Sequence, residues 1–207
     1  MLGLYRQHVL PHLVDMLLSG PGWERWRERT TDGLSGRVVE IGFGSGLNVP
    51  HYPDDVSLVY AVEPALRARR LAQDRIADSH AEVRHVGLDG ARLPLPDGSC
   101  DGALSTFTLC TIPDVEAALA ELRRVLRPGG VFHFLEHGLA PEPSMARVQR
   151  TLEPAQKLFA DGCHLTRDPA TLVRSAGFEI GDLESRYVGM RAPWNYLSVG
   201  VAVSTAA

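Results

Sequence analysis

Val38-Val39-Glu40-Ile41-Gly42-Phe43-Gly44-Ser45-Gly46 is the stretch that decides the fold. A short apolar run enters a loop with glycine at every second position, and an acid sits just inside it. Glycine is needed where backbone must turn tightly and approach a ligand, because a Cβ blocks both. A second apolar run, Leu58-Val59-Tyr60-Ala61-Val62, follows and closes on Glu63. An acid about twenty residues beyond such a loop reaches ribose hydroxyls from a neighbouring strand tip. Together the two features predict a nucleoside held across two adjacent strand ends.

Working outward, apolar segments alternate with helical patterns from Gly36 to Ala140, the rhythm of βαβ units around a parallel sheet. Strands are expected at Arg37 to Gly42, Leu58 to Val62, Glu82 to Gly87, Cys100 to Phe107 and Val131 to Glu136. Pro50 and Pro53 leave only a short, irregular helix after the glycine loop. Pro64 starts a helix that runs to about Ala77, and Asp114 caps a strongly amphipathic one over Val115 to Leu126. Arg127-Pro128-Gly129-Gly130 reads as a turn. A helix over Ser144 to Ala160 carries Pro154 as a kink or break, and another spans Asp168 to Ala176. Phe178 to Val188 and Trp194 to Val203 have no helical pattern between them, so they form an antiparallel hairpin at a sheet edge. The fold class is α/β, Rossmann-like, a seven-stranded mostly parallel sheet with an antiparallel last strand and helices on both faces.

A chain of 207 residues with 44% hydrophobic content supports one sizeable core. Residues 1–35 read as an N-terminal helical lid or packing segment, and 36–207 as one domain, with a cofactor half to 140 and an acceptor half from 141. The net charge of −4 provides no general attraction to nucleic acid, so a small-molecule substrate is expected. Val9 to Leu18 is interrupted by Pro11, His12 and Asp15, too short and too polar to span a bilayer. No signal-peptide pattern is present. Cys100, Cys110 and Cys163 are widely spaced and form no CxxC pair, so neither disulfides nor a metal site is expected. The compartment expected is the reducing cytoplasm.

The dinucleotide fingerprint needs its third glycine at position 47, where this chain has Leu47. Asn48-Val49-Pro50 also starts a helix poorly for a pyrophosphate, and Glu40 brings negative charge, which suits a cationic ligand. S-adenosylmethionine (SAM) meets these constraints: it has an ammonium, a sulfonium and ribose hydroxyls but no phosphate. The E-x-G-x-G-x-G run, Glu63, Asp89 ahead of Leu93-Pro94, and Leu122-Arg123-Arg124-Val125-Leu126-Arg127-Pro128-Gly129-Gly130 resemble class I SAM-dependent methyltransferases of the ubiquinone/menaquinone type.

That resemblance implies a SAM site made of Glu40, Gly42, Gly44, Gly46, Glu63, Asp89, Gly90, Thr106 and Phe107. The glycines meet the methionine portion and ribose, Glu40 orients the loop and favours the ammonium, and Glu63 accepts both ribose hydroxyls. Asp89, or the backbone of Gly90 and Ala91, meets the adenine amino group. Thr106 and Phe107 lie beneath the cofactor near its methyl. Gly90 stands where the family commonly has alanine, and Asp89 can equally be a loop cap.

A second, narrower resemblance lies in Thr108-Leu109-Cys110-Thr111-Ile112, Phe134-Leu135-Glu136-His137, Leu152-Glu153-Pro154-Ala155 and Asp161-Gly162-Cys163-His164-Leu165-Thr166-Arg167. These segments are similar to methyltransferase-like proteins that include alkyl-thiol methyltransferases. The resemblance implies methyl transfer to a small, apolar acceptor, with a thiol as one candidate. Asp161 or His164 is then the group that takes a thiol proton, and His137 lines the acceptor pocket. Asp161 and Thr166 as ordinary loop caps are the competing reading. Methylation of a quinone precursor or phospholipid amine, SAM binding without turnover, and an NAD-dependent oxidoreductase are the alternatives. The last lacks a Tyr-x-x-x-Lys pair. The oligomeric state is not readable from the chain.

Overall fold

The computed structural model describes residue 3 and residues 5–204; the outer ends of the two segments expected at 1–35 and 36–207 lie outside the described residues. Seven strands form one sheet in the order β3-β2-β1-β4-β5-β7-β6. They are β1 (Gly36–Ile41), β2 (Val56–Val62), β3 (Glu82–Gly87), β4 (Cys100–Thr106), β5 (Leu126–His137), β6 (Phe178–Tyr187) and β7 (Tyr196–Ser204). The first five run parallel, and β7 is antiparallel to both β5 and β6. The expected hairpin is therefore present, with β7 on the inside and β6 at the edge.

Strand periodicity sends alternate side chains to opposite layers. Val39, Ile41, Phe132 and Phe134 join Leu119, Leu122 and Val125 of one helix in the first layer. Val38, Val59, Ala61 and Leu104 face the second, with Ala72 and Val49. That helix, spanning Val115–Val125, forms because Asp114 caps it through Ala117 N at 3.0 Å and its apolar positions recur at helical spacing. Each fully buried leucine on that stripe contributes about 1.5–3 kcal/mol by leaving water.

Numbered along the chain, the helices are α1 (Leu10–Leu18), α2 (Pro21–Thr31), α3 (Leu66–Leu71), α4 (Gln73–Ala77), α5 (Val115–Val125), α6 (Pro143–Phe159) and α7 (Pro169–Ser175). A π-helical turn, Tyr5–Val9, precedes α1, and a 3-10 turn at Val49–His51 is the short element expected after the glycine loop.

Three expectations are corrected. The helix read as one piece from Pro64 to Ala77 is two, broken at Ala72, whose side chain is buried beside the glycine loop. Of the kink or break expected at Pro154, the break is corrected, since α6 runs on through Phe159. Arg127 to Gly130 does not separate α5 from β5. The strand begins at Leu126 and loops these residues out, so pairing jumps from Cys100–Leu126 to Gly102–Val131.

Of the N-terminal helices, α2 packs on the sheet at β5 and β7. Trp26 of α2 packs with Leu135, Leu197 and Val199, and His133 Nδ1 bonds the Thr30 carbonyl at 2.8 Å. Among the described residues no helix is long and apolar enough to cross a membrane.

Candidate active site

Four strands end together at the carboxyl edge. β1 runs into the glycine loop, β2 into Glu63, β4 into Phe107 and Thr108, and β5 stops at Glu136 and His137. The chain leaves β1 towards β2 on one side and β4 towards β5 on the other. The crevice above β1 and β4 is thus the topological switch point, where open α/β sheets take ligands.

The glycine loop is built for close approach from outside and packed tightly from inside. Gly42 and Gly44 have φ values of 66° and 58°, in the left-handed region. A Cβ on Gly42 would fall 1.9 Å from Thr108 Oγ1, so this position also seats the β4 loop. A Cβ on Gly44 would meet nothing nearer than the Gly42 carbonyl at 3.7 Å, which leaves that face of the loop open.

Two buried acids hold the loop. Glu40 is fully buried beneath it and accepts hydrogen bonds from Asn48 Nδ2 at 2.8 Å and from the Tyr52 hydroxyl. Arg27 reaches the same group through Asn48 Oδ1 at 2.7 Å. Burial pushes the Glu40 carboxyl up to about 7 and lowers the Arg27 guanidinium to about 10. Glu63 accepts from Gly44 N through Oε2 at 2.8 Å and from Ala65 N through Oε1 at 2.7 Å. Burial holds its carboxyl above the usual range despite those two donors.

The β4 end is held by Glu136, which is fully buried. Its carboxylate accepts from Thr108 N at 2.9 Å, Leu109 N at 3.1 Å and the Ser105 hydroxyl at 2.7 Å. Phe107 between them is forced to φ 53°, a rare conformation for a bulky residue, and packs edge-on against Trp23 with ring centroids 5.2 Å apart. Thr106 Oγ1 accepts from Asn48 Nδ2 at 3.0 Å, which joins the β4 tip to the Glu40 network. Asp89 lies apart on the exposed loop after β3, its carboxylate accepting from Ala91 N at 2.9 Å. Beside it, a Cβ on Gly90 would come within 3.6 Å of Ile41 and 3.7 Å of Ile112, so this backbone packs on the core at the β1 end.

Beyond the β4 and β5 ends, a second cluster is built by the loops after β4 and α6. His164 N donates to the Cys110 carbonyl at 2.8 Å, and Arg167 donates to the carbonyls of Leu109 and Ile112. These bonds bring Cys110, His137 and Cys163 together, with His137 Nε2 3.1 Å from Cys163 Sγ. The hydrogen bond with Cys110, together with burial, pushes the Cys163 thiol well up. The His164 ring points to Glu153, Nδ1 to Oε1 at 3.3 Å, and burial lowers its basicity. Asp161 is exposed and adopts φ 49°. His137, Asp161 and His164 thus share one loop cluster, separate from the Glu40 network.

A cleft of about 510 Å³ lined by Gly138, Ala146, Asp168, Tyr196 and Ser198 opens over β7, away from the glycine loop. The fixed carboxylates and the open glycine face lie instead at the strand ends.

Several supporting residues carry no motif and were missed in sequence: Trp23, Arg27, Asn48 and Tyr52 behind the loop, and Arg75. Arg75 donates to the Ser45 carbonyl at 2.8 Å and pairs with Asp15 of α1 at 2.9 Å, tying the N-terminal helix to the loop. Glu136 did carry a signal, as a charge ending an apolar strand.

Known proteins resemble this chain in sequence and in fold. The methyltransferase domain family matches residues 39–134. Over 171 residues the chain is 34% identical to the rat (Rattus norvegicus) thiol S-methyltransferase TMT1B, which covers 79% of this chain and 66% of that protein. Human (Homo sapiens) TMT1B is also 34% identical, over 174 residues, covering 81% of this chain and 69% of that one. The chain thus spans about two thirds of the length of these relatives. A solved SAM-dependent methyltransferase from Thermotoga maritima has the same fold, with a TM-score of 0.68 at 22% identity, covering 98% of this chain and 99% of that one.

Proposed function

The chain belongs to the methyltransferase family of the thiol S-methyltransferases, and on that footing we propose that it transfers a methyl group from SAM to a small, apolar thiol. The observation that carries the donor half is Glu63. Both of its oxygens are fixed by backbone amides, one of them from the glycine loop, and each keeps a lone pair for a ribose hydroxyl. The open face of Gly44 leaves room for a ligand against the loop backbone. When bound, SAM would supply a sulfonium methyl that an acceptor sulfur attacks in line, S-adenosylhomocysteine leaving with the old C–S electron pair.

The chain's own work is to position and to exclude water. Glu40 and Arg27 brace the loop from beneath, Glu136 fixes the β4 tip through Thr108 and Leu109, and Trp23 covers Phe107. The acceptor enters on the side of His137, Asp161 and His164. His164 is oriented through Nδ1 by Glu153, so its Nε2 is the ring nitrogen that would meet a substrate proton. Residues 1–35 serve as the cover of this site, and the reducing cytoplasm is its compartment.

The test is calorimetry with SAM and S-adenosylhomocysteine, followed by labelled-methyl transfer to alkyl thiols, hydrogen sulfide, phenols, amines, quinone precursors and phospholipids. We expect binding of both nucleosides, no binding of NAD, and transfer to thiols. Activity on quinone precursors or phospholipids with none on thiols would overturn the acceptor. Binding without transfer to any acceptor would overturn the enzyme.

A further inference from the structure

Cys110, His137 and Cys163 come from three separate segments, yet their ligand atoms all lie within 4.8 Å of one another. All three side chains are buried, and His137 Nδ1 has no hydrogen-bond partner. A tetrahedral zinc ion with ordinary Zn–S and Zn–N bonds sets its ligands about 3.5–3.8 Å apart. That spacing falls within the span of this cluster.

The geometry is held from outside. His164 N bonds the Cys110 carbonyl, and Arg167 bonds the carbonyls on either side of it, so the two cysteine loops are fixed to each other. The nearby carboxylates are already committed. Glu136 receives Thr108, Leu109 and Ser105, and Glu153 receives Thr166 and faces His164. Among the described residues the cluster therefore has two thiols and one imidazole, with no fourth His, Cys, Asp or Glu. Three protein ligands with one open position is the arrangement of catalytic zinc, whereas structural zinc is closed by four.

We propose that Cys110, His137 and Cys163 hold a zinc-type divalent ion whose open position takes the acceptor thiol as its thiolate, an inference that rests on the thiol-methyltransferase reading above. As the acceptor binds, its S–H bond breaks, the electron pair stays on sulfur and forms the metal–sulfur bond, and the proton passes to His164 Nε2 and on to water. Loading the ion likewise releases the protons of the two cysteine thiols. No electron is transferred. The metal supplies a sulfur nucleophile at neutral pH without a strong base. All three ligands lie in the segments that resemble thiol methyltransferases, whereas Cys100, at the opposite end of β4, does not.

The test uses the full chain purified without a metal-affinity tag. Metal content is read by mass spectrometry, and cobalt(II) is then exchanged in and followed by absorption spectroscopy. We expect about one zinc per chain, a thiolate-to-cobalt charge-transfer band, and a change in the cobalt spectrum when an alkyl thiol is added. Cys110→Ser and Cys163→Ser should each lower bound metal at least tenfold, and Cys100→Ser should leave it unchanged. The wild-type cobalt spectrum keeps the proposal falsifiable if a serine variant fails to fold. Absence of zinc and of the charge-transfer band, or a Cys110–Cys163 disulfide in the isolated protein, would overturn the site. A cobalt spectrum unmoved by thiol, or full thiol methylation by metal-free protein, would overturn its role. Stoichiometry and spectra need no turnover, so an inert acceptor screen would count against the methyl-transfer reading alone.

Discussion

The Gly44 amide lies 2.8 Å from Glu63 Oε2, so the loop after β1 and the acid that ends β2 form one hydrogen-bonded unit. Loop and acid are therefore placed relative to each other before any ligand arrives. This preorganisation lowers the ordering cost of binding.

Glu63→Gln keeps the side chain's shape and removes its charge. We expect S-adenosylhomocysteine to bind roughly 10–100-fold more weakly, the effect of about 1.5–3 kcal/mol lost from hydrogen bonds to a charged acceptor. Calorimetry measures it, and a change under about threefold would contradict the ribose role.

Gly42 and Gly44 separate packing from ligand contact. Gly42→Ala drives a Cβ into Thr108 Oγ1, so it should lower stability by about 2 kcal/mol or more and melt the loop with it. Gly44→Ala has open space and meets only the left-handed backbone cost of about 1 kcal/mol. Its main effect should be a loss of nucleoside affinity well beyond that stability cost. Urea melts alongside nucleoside titrations distinguish the two.

Arg75 joins the cover to the loop. Its pair with Asp15 is partly exposed, so the pair itself contributes no more than about 1 kcal/mol. Arg75→Ala also frees the Ser45 carbonyl and should weaken nucleoside binding more than Asp15→Ala does. Hydrogen exchange should speed up over residues 10–18 in both variants. Equal affinities in the two variants would rule out the loop contact as the cause.

Glu40 makes stability depend on pH. Its folded carboxyl titrates at about 7 because burial penalises the charge, against an ordinary value of 4.5. Between those values the folded state holds a proton that the unfolded chain has lost. The contribution is therefore full below about pH 4.5 and is lost as pH rises through about 7, up to about 3 kcal/mol in all. Glu40→Gln should flatten that slope in urea melts run from about pH 5 to about pH 8. An unchanged slope would refute the assignment.

Much of the fold was legible because its signals are local. The Val38 to Gly46 run, the Asp114 cap and the stripe of α5 each report on neighbours a few residues away. The missed features depend on partners far along the chain. Nothing near Arg27 predicts Asn48, and nothing near Arg75 predicts both Asp15 and Ser45. At Arg127 to Gly130 proline and glycine mark a chain reversal as readily as a bulge, so the sequence alone points to a separating turn where the strand loops out.

By itself the sequence determined the α/β sheet, the glycine loop at its first strand end and the acid at its second, since period, glycine spacing and charge position are properties of short segments. Only the tertiary structure decided that Glu40 is consumed beneath the loop, that Glu63 is bonded to Gly44, and that Cys110, His137 and Cys163 meet. Those relationships join residues 8 to 53 positions apart, and their geometry exists only once the parallel strands have brought their ends side by side.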